Sequence, residues 1–321
     1  MPDTAQSGDT DDFDTLVRRY RHELQVHCYR MLGSTLDAED LVQETLLRAW
    51  RNRTQFEGRS SIRAWLYRIA TNACLDALEH SSRRLRPVGL VADPLAELAG
   101  LEPYPDRLLD GPTSADDPEA HAVSRETIEL AFIAALLHLP PRQRAVLIIR
   151  DVLGWGPAET AVVLDTTTTA VNSLLQRARA AMQQAVPARA EWRRSMVSAE
   201  EQAVLDRYVA AHERGDADTI IAMLHADIRI TMPPEPACIG PAASESFFRR
   251  ILGDGAPGEW RLVMIGANRQ PAAANYLRRP SDDRFRALSI DVLRVVDNRL
   301  VEVNCFLGDA LFPAFGLATS L

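Results

Sequence analysis

Residues 157–182 read PAETAVVLDTTTTAVNSLLQRARAAM, and this stretch decides the fold of the middle of the chain. Pro157 suits the first turn of a short helix, and the threonines that follow Asp165 predict a turn. Thr167 can cap a second helix that runs from Thr168 to about Gln183. The apolar residues of this second helix recur at helical spacing and should face inward: Val171, Leu174, Leu175, Ala178 and Met182. The stretch therefore predicts a helix-turn-helix.

The outward face of the second helix consists of side chains that form hydrogen bonds. They are Thr168, Thr169, Asn172, Ser173, Gln176, Arg177 and Arg179. A helix that enters the major groove of DNA needs such a face, because amides and hydroxyls contact base edges while arginines contact bases or phosphates. An ordinary helical hairpin shows the same spacing, so it is the composition of this face that favours DNA binding.

Residues 37–50, DAEDLVQETLLRAW, predict an earlier and more acidic helix. Its N-cap should lie between Ser34 and Asp37, which puts Asp37, Glu39 and Asp40 in the first turn, where the helix dipole favours acids. Its apolar face is formed by Ala38, Leu41, Val42, Leu46, Ala49 and Trp50. The opposite face carries Asp40, Gln43, Glu44, Leu47 and Arg51. An acidic face repels DNA, so its partner should be a basic protein or simply solvent.

A third helix is predicted from residue 62 to 84, after the loop FEGRSS at residues 56–61. Arginines and aromatic side chains accompany it: Arg59, Arg63, Arg68, Arg83 and Arg84, with Phe56, Trp65 and Tyr67. Binding of single-stranded or melted DNA uses this combination, because arginines contact phosphates and rings stack on bases. Trp65 would equally suit a helix core, and Arg83 and Arg84 a solvated helix end, so both interpretations stay open.

The bulk composition restricts where DNA could bind. The formal net charge is −8, so DNA binding must come from local patches rather than from an overall basic surface. We expect neither a signal peptide nor membrane insertion, because residues 1–12 are polar and acidic and no apolar run reaches about 18 residues. The four cysteines (Cys28, Cys74, Cys238 and Cys305) are scattered without a CxxC pair. Metal and cofactor sites are therefore not expected, and a reducing cytoplasm fits.

Composition divides the chain into four segments. Two helical segments, residues 11–86 and 119–186, flank a linker at residues 87–118, and a segment of mixed helix and strand follows at residues 197–321. The linker is rich in proline, glycine and aspartate, which predicts a flexible and acidic connection. Its acids are Asp93, Glu97, Glu102, Asp106, Asp110, Asp116 and Asp117, with Arg107 as its only base.

The last segment has an α+β pattern. A capping box from Ser198 to Glu201 starts a helix, and a break at Gly215, a second helix and a strand follow. Alternation predicts four further strands, at residues 260–267, 272–277, 287–296 and 301–306, with DNR (297–299) as a hairpin turn. His212, His225 and Asp227 are candidates for acid–base chemistry. However, His212 lies in a charge-rich helix and is expected at the surface, and Asp227 is equally suited to beginning a strand.

Three motifs in the right order carry a family resemblance. They are DAEDLVQETLLRAW (37–50), RAWLYRIATNACLDALE (63–79) and LPPRQRAVLIIRDVLGWGPAETAVVLDTTTTAVNSLLQRARAAM (139–182). Together they make residues 11–186 resemble the extracytoplasmic-function (ECF) sigma factors, the promoter-recognition subunits of bacterial RNA polymerase. The resemblance implies two all-α sigma domains, regions 2 and 4, of which the second contains the helix-turn-helix. Asp165 stands where relatives usually have glycine, and aspartate tolerates the left-handed conformation that this turn needs.

The resemblance also implies roles for the three helices. The acidic helix would bind the clamp helices of the polymerase β′ subunit through Asp37, Asp40, Leu41, Gln43, Glu44 and Leu47. The residues implied to capture the −10 element are Phe56, Arg59, Ser60, Ser61, Arg63, Arg68, Asn72, Arg83 and Arg84. The helix from Thr168 would read the −35 element through the seven outward side chains named above. The acidic linker would thread towards the polymerase active site and RNA exit channel.

The last segment resembles the SnoaL-like domain, a cone-shaped α+β fold in which a curved sheet is wrapped by helices. We expect this domain to regulate the sigma regions by packing on them or on the linker. An anti-sigma factor and a small ligand of this domain stay open as further partners. The expected function is that of an alternative sigma factor without a catalytic site of its own. The rival interpretation is a SnoaL-type enzyme fused to a helix-turn-helix regulator, which would leave the acidic helix and the WLYRIATN helix without a role.

Overall fold

In a computed structural model of the chain, the described residues are 6–56, 61–82, 100–109, 128–185 and 197–321. They form two compact units. One unit combines the helices before residue 83 with Leu108, Leu109 and the helices between residues 128 and 185; the other combines residues 100–107 with residues 197–321. The two predicted helical segments are thus parts of one packed unit. Part of the predicted linker belongs with the C-terminal domain.

The N-terminal part of the first unit consists of α1 (Gln6–Leu32), α2 (Thr35–Arg51) and α3 (Ile62–Ser82), with a short 3₁₀ turn at Arg53–Gln55. Gly33 ends α1 with a φ of +76°, a left-handed conformation that favours glycine.

The predicted cap of α2 is confirmed, but its first turn differs from the prediction. The Ser34 hydroxyl accepts a hydrogen bond from the Asp37 amide at 3.1 Å. Because this cap starts α2 at Thr35, only Asp37 of the three predicted acids lies in the first turn.

The rest of the first unit contains the predicted helix-turn-helix. A single turn, α4 (Asp106–Leu109), has its first two residues in the other unit and its last two in this one. It is followed by α5 (Leu130–Leu137), α6 (Pro141–Leu147), α7 (Pro157–Val163) and α8 (Thr168–Ala185). A π-helical turn at Ile148–Val152 continues α6.

The details of the turn between α7 and α8 agree with the sequence. Thr167 Oγ1 caps α8 by accepting from the Ala170 amide at 3.2 Å. Asp165 has a φ of 47°, the left-handed conformation expected there. The predicted inward residues Val171, Leu175, Ala178 and Met182 are buried, and Leu174 is half-buried. The helix-turn-helix prediction is therefore confirmed.

The C-terminal domain is an α+β fold, as predicted. Its helices are α9 (Ala199–Glu213), α10 (Ala217–Ala222) and α11 (Pro241–Leu252). Its strands are β1 (Leu224–Met232), β2 (Glu235–Ile239), β3 (Glu259–Ala267), β4 (Gln270–Arg278), β5 (Arg286–Val296) and β6 (Arg299–Leu307). A 3₁₀ helix at Asp309–Phe315 follows the last strand.

The strands form one sheet in the order β2-β1-β6-β5-β4-β3. The β1–β6 pair is parallel and the other pairs are antiparallel. A core that includes Tyr208, Phe248, Leu293 and Val303 joins α9 and α11 to the sheet. The helices therefore cover one face of the sheet, and burial of apolar surface holds the two layers together.

Local sequence signals specify the ends of several elements in this domain. The capping box is present: Ser198 Oγ accepts from the Glu201 amide at 3.1 Å, and Glu201 Oε2 accepts from the Ser198 amide at 2.9 Å. In the predicted β5–β6 turn, Asp297 and Asn298 have φ values of 48° and 58°. Two consecutive left-handed residues make the tight turn that suits a hairpin.

The described residues contain no helix that is long and apolar enough to span a membrane. In the same parts of the chain, no three histidine, cysteine or acidic side chains are grouped so that they could hold a metal ion.

His212 lies in the core, so the expectation that it sits at the surface is wrong. Its side chain is only 2% exposed, and its ring packs edge-on against Tyr208 and Trp260 at centroid distances of 5.4 and 5.0 Å. The charged neighbours on α9 suggested a solvated position, but the aromatic side chains enclose it. Burial lowers the pKa of His212 to about 3.

We expect the C-terminal domain to lose stability on acidification because of His212. Between about pH 6.5 and pH 3 the unfolded chain binds a proton at this residue that the folded domain does not bind, so stability falls as the pH falls. At pH 5 the loss should be about 2 kcal/mol. Urea-unfolding curves of the full chain at pH 7 and pH 5 measure it, and His212→Phe should remove most of the pH dependence of this domain. An unchanged pH dependence in the variant would contradict the assignment.

Candidate nucleic-acid and protein interfaces

The outer face of α8 is available for a partner. All seven predicted side chains on it are exposed: Thr168, Thr169, Asn172, Ser173, Gln176, Arg177 and Arg179. The two arginines differ in their contacts. Arg177 Nε donates to the Ser173 carbonyl of its own helix at 3.3 Å, whereas Arg179 holds Asp151 through two hydrogen bonds of 2.8 and 2.6 Å. Arg179 is thus tied to the π-helical turn after α6, and Arg177 is the less restrained of the two cations.

The acidic face of α2, defined by Asp37, Asp40, Gln43, Glu44 and Leu47, is exposed throughout. Leu47 is 57% exposed although it is apolar. Glu44 accepts from Arg48 Nη2 at 2.7 Å, so its charge is partly compensated.

The remaining predicted member of the polymerase-binding set, Leu41, is half-buried at the edge of this face. The buried face of α2 consists instead of Thr35, Ala38, Val42, Thr45 and Ala49. The exposed face thus combines carboxylates with one apolar side chain, Leu47.

The start of α3 presents a ring pair and polar groups. Phe56 and Trp65 are both half-buried, with ring centroids 5.3 Å apart. Ser61 is exposed and its hydroxyl caps α3 by accepting from the Ala64 amide at 3.1 Å. Arg68 is exposed and Asn72 is half-buried along the same helix. The predicted contacts Arg59, Ser60, Arg83 and Arg84 lie outside the described residues.

Tyr67, one of the three predicted stacking rings, is not accessible, so that expectation is wrong. It is fully buried between His27 and Trp155, at centroid distances of 4.9 and 5.0 Å. Burial, with the charge of Glu23 nearby, raises its pKa well above the usual value. The helix turns this ring into the core, so only Phe56 and Trp65 of the three rings remain near the surface.

Arg63 is also engaged inside the first unit. Its guanidinium contacts the Glu23 carboxylate at 2.9–3.2 Å, and Glu23 is 6% exposed. The same guanidinium lies 5.7 Å from the Tyr67 ring and 5.6 Å from the ring of Trp155, which follows the π-helical turn. One predicted DNA contact therefore already bridges α1, α3 and the segment before α7.

Residues 104–107 of the linker are held by the C-terminal domain. The flexibility predicted for the linker therefore does not apply to these four residues. The backbone N–H of Tyr104 donates to the side-chain oxygen Oδ1 of Asn268 at 2.7 Å, and the backbone N–H of Asn268 donates to the Tyr104 carbonyl at 2.9 Å. Asp106 Oδ1 accepts from the Arg269 amide at 2.8 Å. These contacts occupy the β3–β4 turn, where Asn268 and Arg269 have φ values of 55° and 59°.

Two further contacts complete this arrangement. Arg107 donates to the Ala314 carbonyl at 2.9 and 2.6 Å. Gly266 leaves room for Asp106, because a Cβ at position 266 would lie 2.6 Å from Asp106 Oδ2. We call residues 104–107 with their partners Gly266, Asn268, Arg269 and Ala314 the linker clasp. The linker clasp was not predicted from the sequence. Two local signals accompany it: the glycine one residue before the end of β3 and the acid after a proline in the linker.

The three acid–base candidates of the C-terminal domain do not come together. Asp227 is 86% exposed and lies 3.6 Å from His225 Nδ1, while His212 is enclosed by aromatic rings elsewhere. A carboxyl that the sequence did not single out, Asp291, is buried in this domain, as is Glu201. Asp291 accepts from the Tyr208 hydroxyl at 2.9 Å and from the Ser289 hydroxyl at 3.3 Å. Burial raises the pKa of Asp291. Its place within an apolar strand gave no sequence signal.

Comparisons with known proteins agree on the family. Family models match Sigma-70 region 2 at residues 16–84, Sigma-70 region 4 at residues 129–182 and the SnoaL-like domain at residues 205–303. The ECF RNA polymerase sigma factor SigG of Mycobacterium tuberculosis is 46% identical over 97% of this chain and 85% of its own length. SigJ of the same organism is 30% identical over 91% of this chain and 89% of its own length.

A solved structure has the same fold along nearly the whole chain. The crystal structure of M. tuberculosis SigJ matches with a TM-score of 0.59 and 25% identity, covering 95% of this chain and 100% of that one. Family models, full-length relatives and the SigJ fold thus cover both helical regions and the C-terminal domain together. The chain belongs to the ECF RNA polymerase sigma factors, and it is a member with a C-terminal SnoaL-like domain.

Proposed function

We propose that this sigma factor binds core RNA polymerase through the acidic face of α2, captures −10 bases at the start of α3 and reads the −35 element with α8. The polymerase supplies the chemistry of RNA synthesis. The single observation that carries the proposal is the fully exposed, hydrogen-bonding face of α8 behind a correctly capped helix-turn-helix.

The acidic face of α2 fits a basic protein surface. Three carboxylates, of Asp37, Asp40 and Glu44, lie on the same exposed face of α2 as Leu47. Charges of one sign steer a partner of opposite sign, and an apolar side chain at the centre adds contact energy once water is excluded. The clamp helices of the β′ subunit are the partner that the family resemblance implies.

Melted DNA fits the start of α3. Flipping a base out of the duplex costs a few kcal/mol of stacking, so the protein must provide a surface for the base and contacts for the phosphates. The Phe56–Trp65 ring pair offers such a surface, and Ser61, Arg68 and Asn72 offer polar contacts beside it.

The C-terminal domain would regulate initiation through the linker clasp. The linker of a sigma factor is implied to thread into the polymerase, but a linker bound at its middle to a folded domain cannot enter a channel. Promoter-dependent RNA synthesis then requires release of the clasp, or at least competes with it. The carboxylate of Asp106 and the missing side chain of Gly266 are the parts of the clasp that substitutions reach directly.

Charge reversal of α2 tests polymerase binding. The double change Asp40→Arg and Glu44→Arg should weaken binding to core polymerase about 100-fold or more, because like charges then face each other. Circular dichroism should show an unchanged fold, since both positions are exposed. Glu235→Arg with Asp254→Arg makes the same charge change at exposed positions outside this face and serves as the control. Equal affinities of the two double variants would refute the proposed role of α2.

Two alanine substitutions on α8 test promoter reading. The wild-type holoenzyme first selects active promoters from a random library by run-off transcription. Gln176→Ala should then relax base preference at one −35 position, at a cost of about tenfold in affinity. Arg177→Ala should instead weaken all promoters and lower the slope of the salt dependence by about 1. Arg142→Ala, another exposed arginine of the same unit, should change neither quantity. An effect of Arg142→Ala equal to that of Arg177→Ala would remove the specific role of α8.

Opening the linker clasp should raise transcription. Asp106→Ala removes the acceptor for the Arg269 amide, and Gly266→Val fills the space that Asp106 occupies. Both variants should be cleaved several-fold faster by protease at residues 100–107 and should give more run-off transcript than the wild type. Asp283→Ala, an exposed acid of the same domain, is the control. Faster cleavage without a change in transcription would separate the clasp from regulation.

A further inference from the structure

One arginine of α8 is held by a carboxylate that lies outside the helix-turn-helix. Arg179 donates from Nε to Asp151 Oδ2 at 2.8 Å and from Nη2 to Asp151 Oδ1 at 2.6 Å. In such a bidentate pair the planar guanidinium matches the carboxylate, which fixes the direction of the side chain as well as the distance. The side chain of Asp151 is 14% exposed and that of Arg179 is 52% exposed. The pair is therefore anchored on the protein side and open on the side of the arginine.

The π-helical turn at Ile148–Val152 positions this carboxylate. The Leu153 amide donates to the Ile148 carbonyl at 2.9 Å, a bond that spans five residues and is the π-helical pattern. A π turn contains one more residue than a turn of α-helix, which changes the directions of the side chains within it. Arg150 donates to the Trp155 carbonyl and so fixes the turn from a second side. Because α6 packs on α8, a carboxylate at residue 151 reaches the flank of α8.

Arg179 lies on the flank of the outward face of α8. It follows Gln176 by one helical turn and Asn172 by two, so the three side chains share one side of the helix, and all three are exposed. An unpaired cation at this place would attract the phosphates of any DNA sequence. Pairing with Asp151 compensates the charge of Arg179 but leaves Nη1, which takes no part in the pair, for one contact in a fixed direction.

We propose that Asp151 is a positioning residue for promoter recognition, which holds Arg179 so that its Nη1 edge contacts one backbone phosphate beside the −35 element in a fixed register. This inference rests on the proposed role of α8 in reading that element. Phosphate contacts set the register of a protein on DNA, and base contacts then read the sequence. An arginine that is fixed in advance loses little conformational entropy on binding, whereas a free one can follow the phosphates of any sequence. Asp151 thus favours the correct register without touching DNA itself.

The two arginines of α8 therefore have different roles. Arg177 donates from Nε to a carbonyl of its own helix at 3.3 Å, a neutral acceptor that leaves its charge available to phosphates. Arg179 carries a charge that the Asp151 carboxylate compensates, so it contributes to binding in the correct register more than to general attraction. Loss of Asp151 makes Arg179 resemble Arg177, with a mobile side chain and an uncompensated charge.

Binding of the holoenzyme to two DNA fragments tests the proposal. One fragment carries a promoter selected by the wild type, the other carries the same promoter with a scrambled −35 element, and fluorescence anisotropy measures both affinities over a series of salt concentrations. Asp151→Ala, with its fold checked by circular dichroism, should raise the affinity for the scrambled fragment and steepen the salt dependence on both fragments by about 1. It should lower the preference for the selected promoter about fivefold. An equal loss of affinity for both fragments, with an unchanged slope, overturns the proposal.

Asp151→Asn separates the charge of the carboxylate from its geometry. Asparagine keeps one acceptor oxygen for Arg179 but loses the charge. It should therefore steepen the salt dependence as alanine does, while it keeps most of the preference for the selected promoter. A preference as low as that of Asp151→Ala would contradict the positioning of Arg179 by a hydrogen bond.

A double-mutant cycle and a matched control isolate the pair. In an Arg179→Ala background, Asp151→Ala should change neither the slope nor the preference further, because the group that it positions is gone. A further loss there would show that Asp151 acts through packing alone and would overturn the proposal. Glu259→Ala is the control, because it releases Arg278 from an ion pair of 2.5 Å in the C-terminal domain. An effect equal to that of Asp151→Ala would mean that any released surface arginine suffices, which also overturns the proposal.

The outcomes separate the positioning role from the proposed function. If the wild-type holoenzyme prefers the selected promoter and Asp151→Ala leaves both preference and slope unchanged, the positioning role is refuted while the function stands. If the wild type binds both fragments equally, α8 does not read the −35 element, and the proposed function fails together with the role of Asp151.

Discussion

The guanidinium of Arg144 is the interaction on which the first unit depends. It gathers carbonyls from near the ends of two helices, those of Met31 and Leu137, together with that of Leu139 in the loop between α5 and α6. Burial lowers its pKa to about 10, so it remains charged at neutral pH. A buried charge without hydrogen bonds would cost several kcal/mol, and here three carbonyls replace the lost water. A neutral side chain at this position would leave those carbonyls without a donor, which makes Arg144 a condition for packing the two regions together.

The same unit separates a core that joins the regions from the surfaces proposed to bind partners. Tyr67, His27 and Trp155 lie where α1 and α3 meet the segment before α7, and they bury their rings there. The faces of α2 and α8 point away from this core, as the exposure of Leu47 and Gln176 shows. The side chains proposed to bind partners therefore contribute little to stability, and substitutions on these faces should leave the fold intact.

Short-range signals made much of the fold predictable from the sequence. The caps at Ser34, Thr167 and Ser198 and the left-handed residue Asp165 each depend on a few neighbouring residues, and each appears as expected. The exposed face of α8 followed from helical periodicity alone. The strand β2 and the helix α11 were not predicted from the sequence. Prolines lie on both sides of Cys238, and they are compatible with an edge strand and a first helical turn.

Contacts between distant parts of the chain could not be predicted in this way. Tyr67 was expected to stack on bases and His212 to be solvated, but the side chains that enclose Tyr67 include Trp155, and Trp260 helps to enclose His212. The linker clasp joins Asp106 to Arg269, and Arg144 donates to the Met31 carbonyl, at sequence separations of 163 and 113 residues. Periodicity gives the face on which a side chain lies but not which element covers that face.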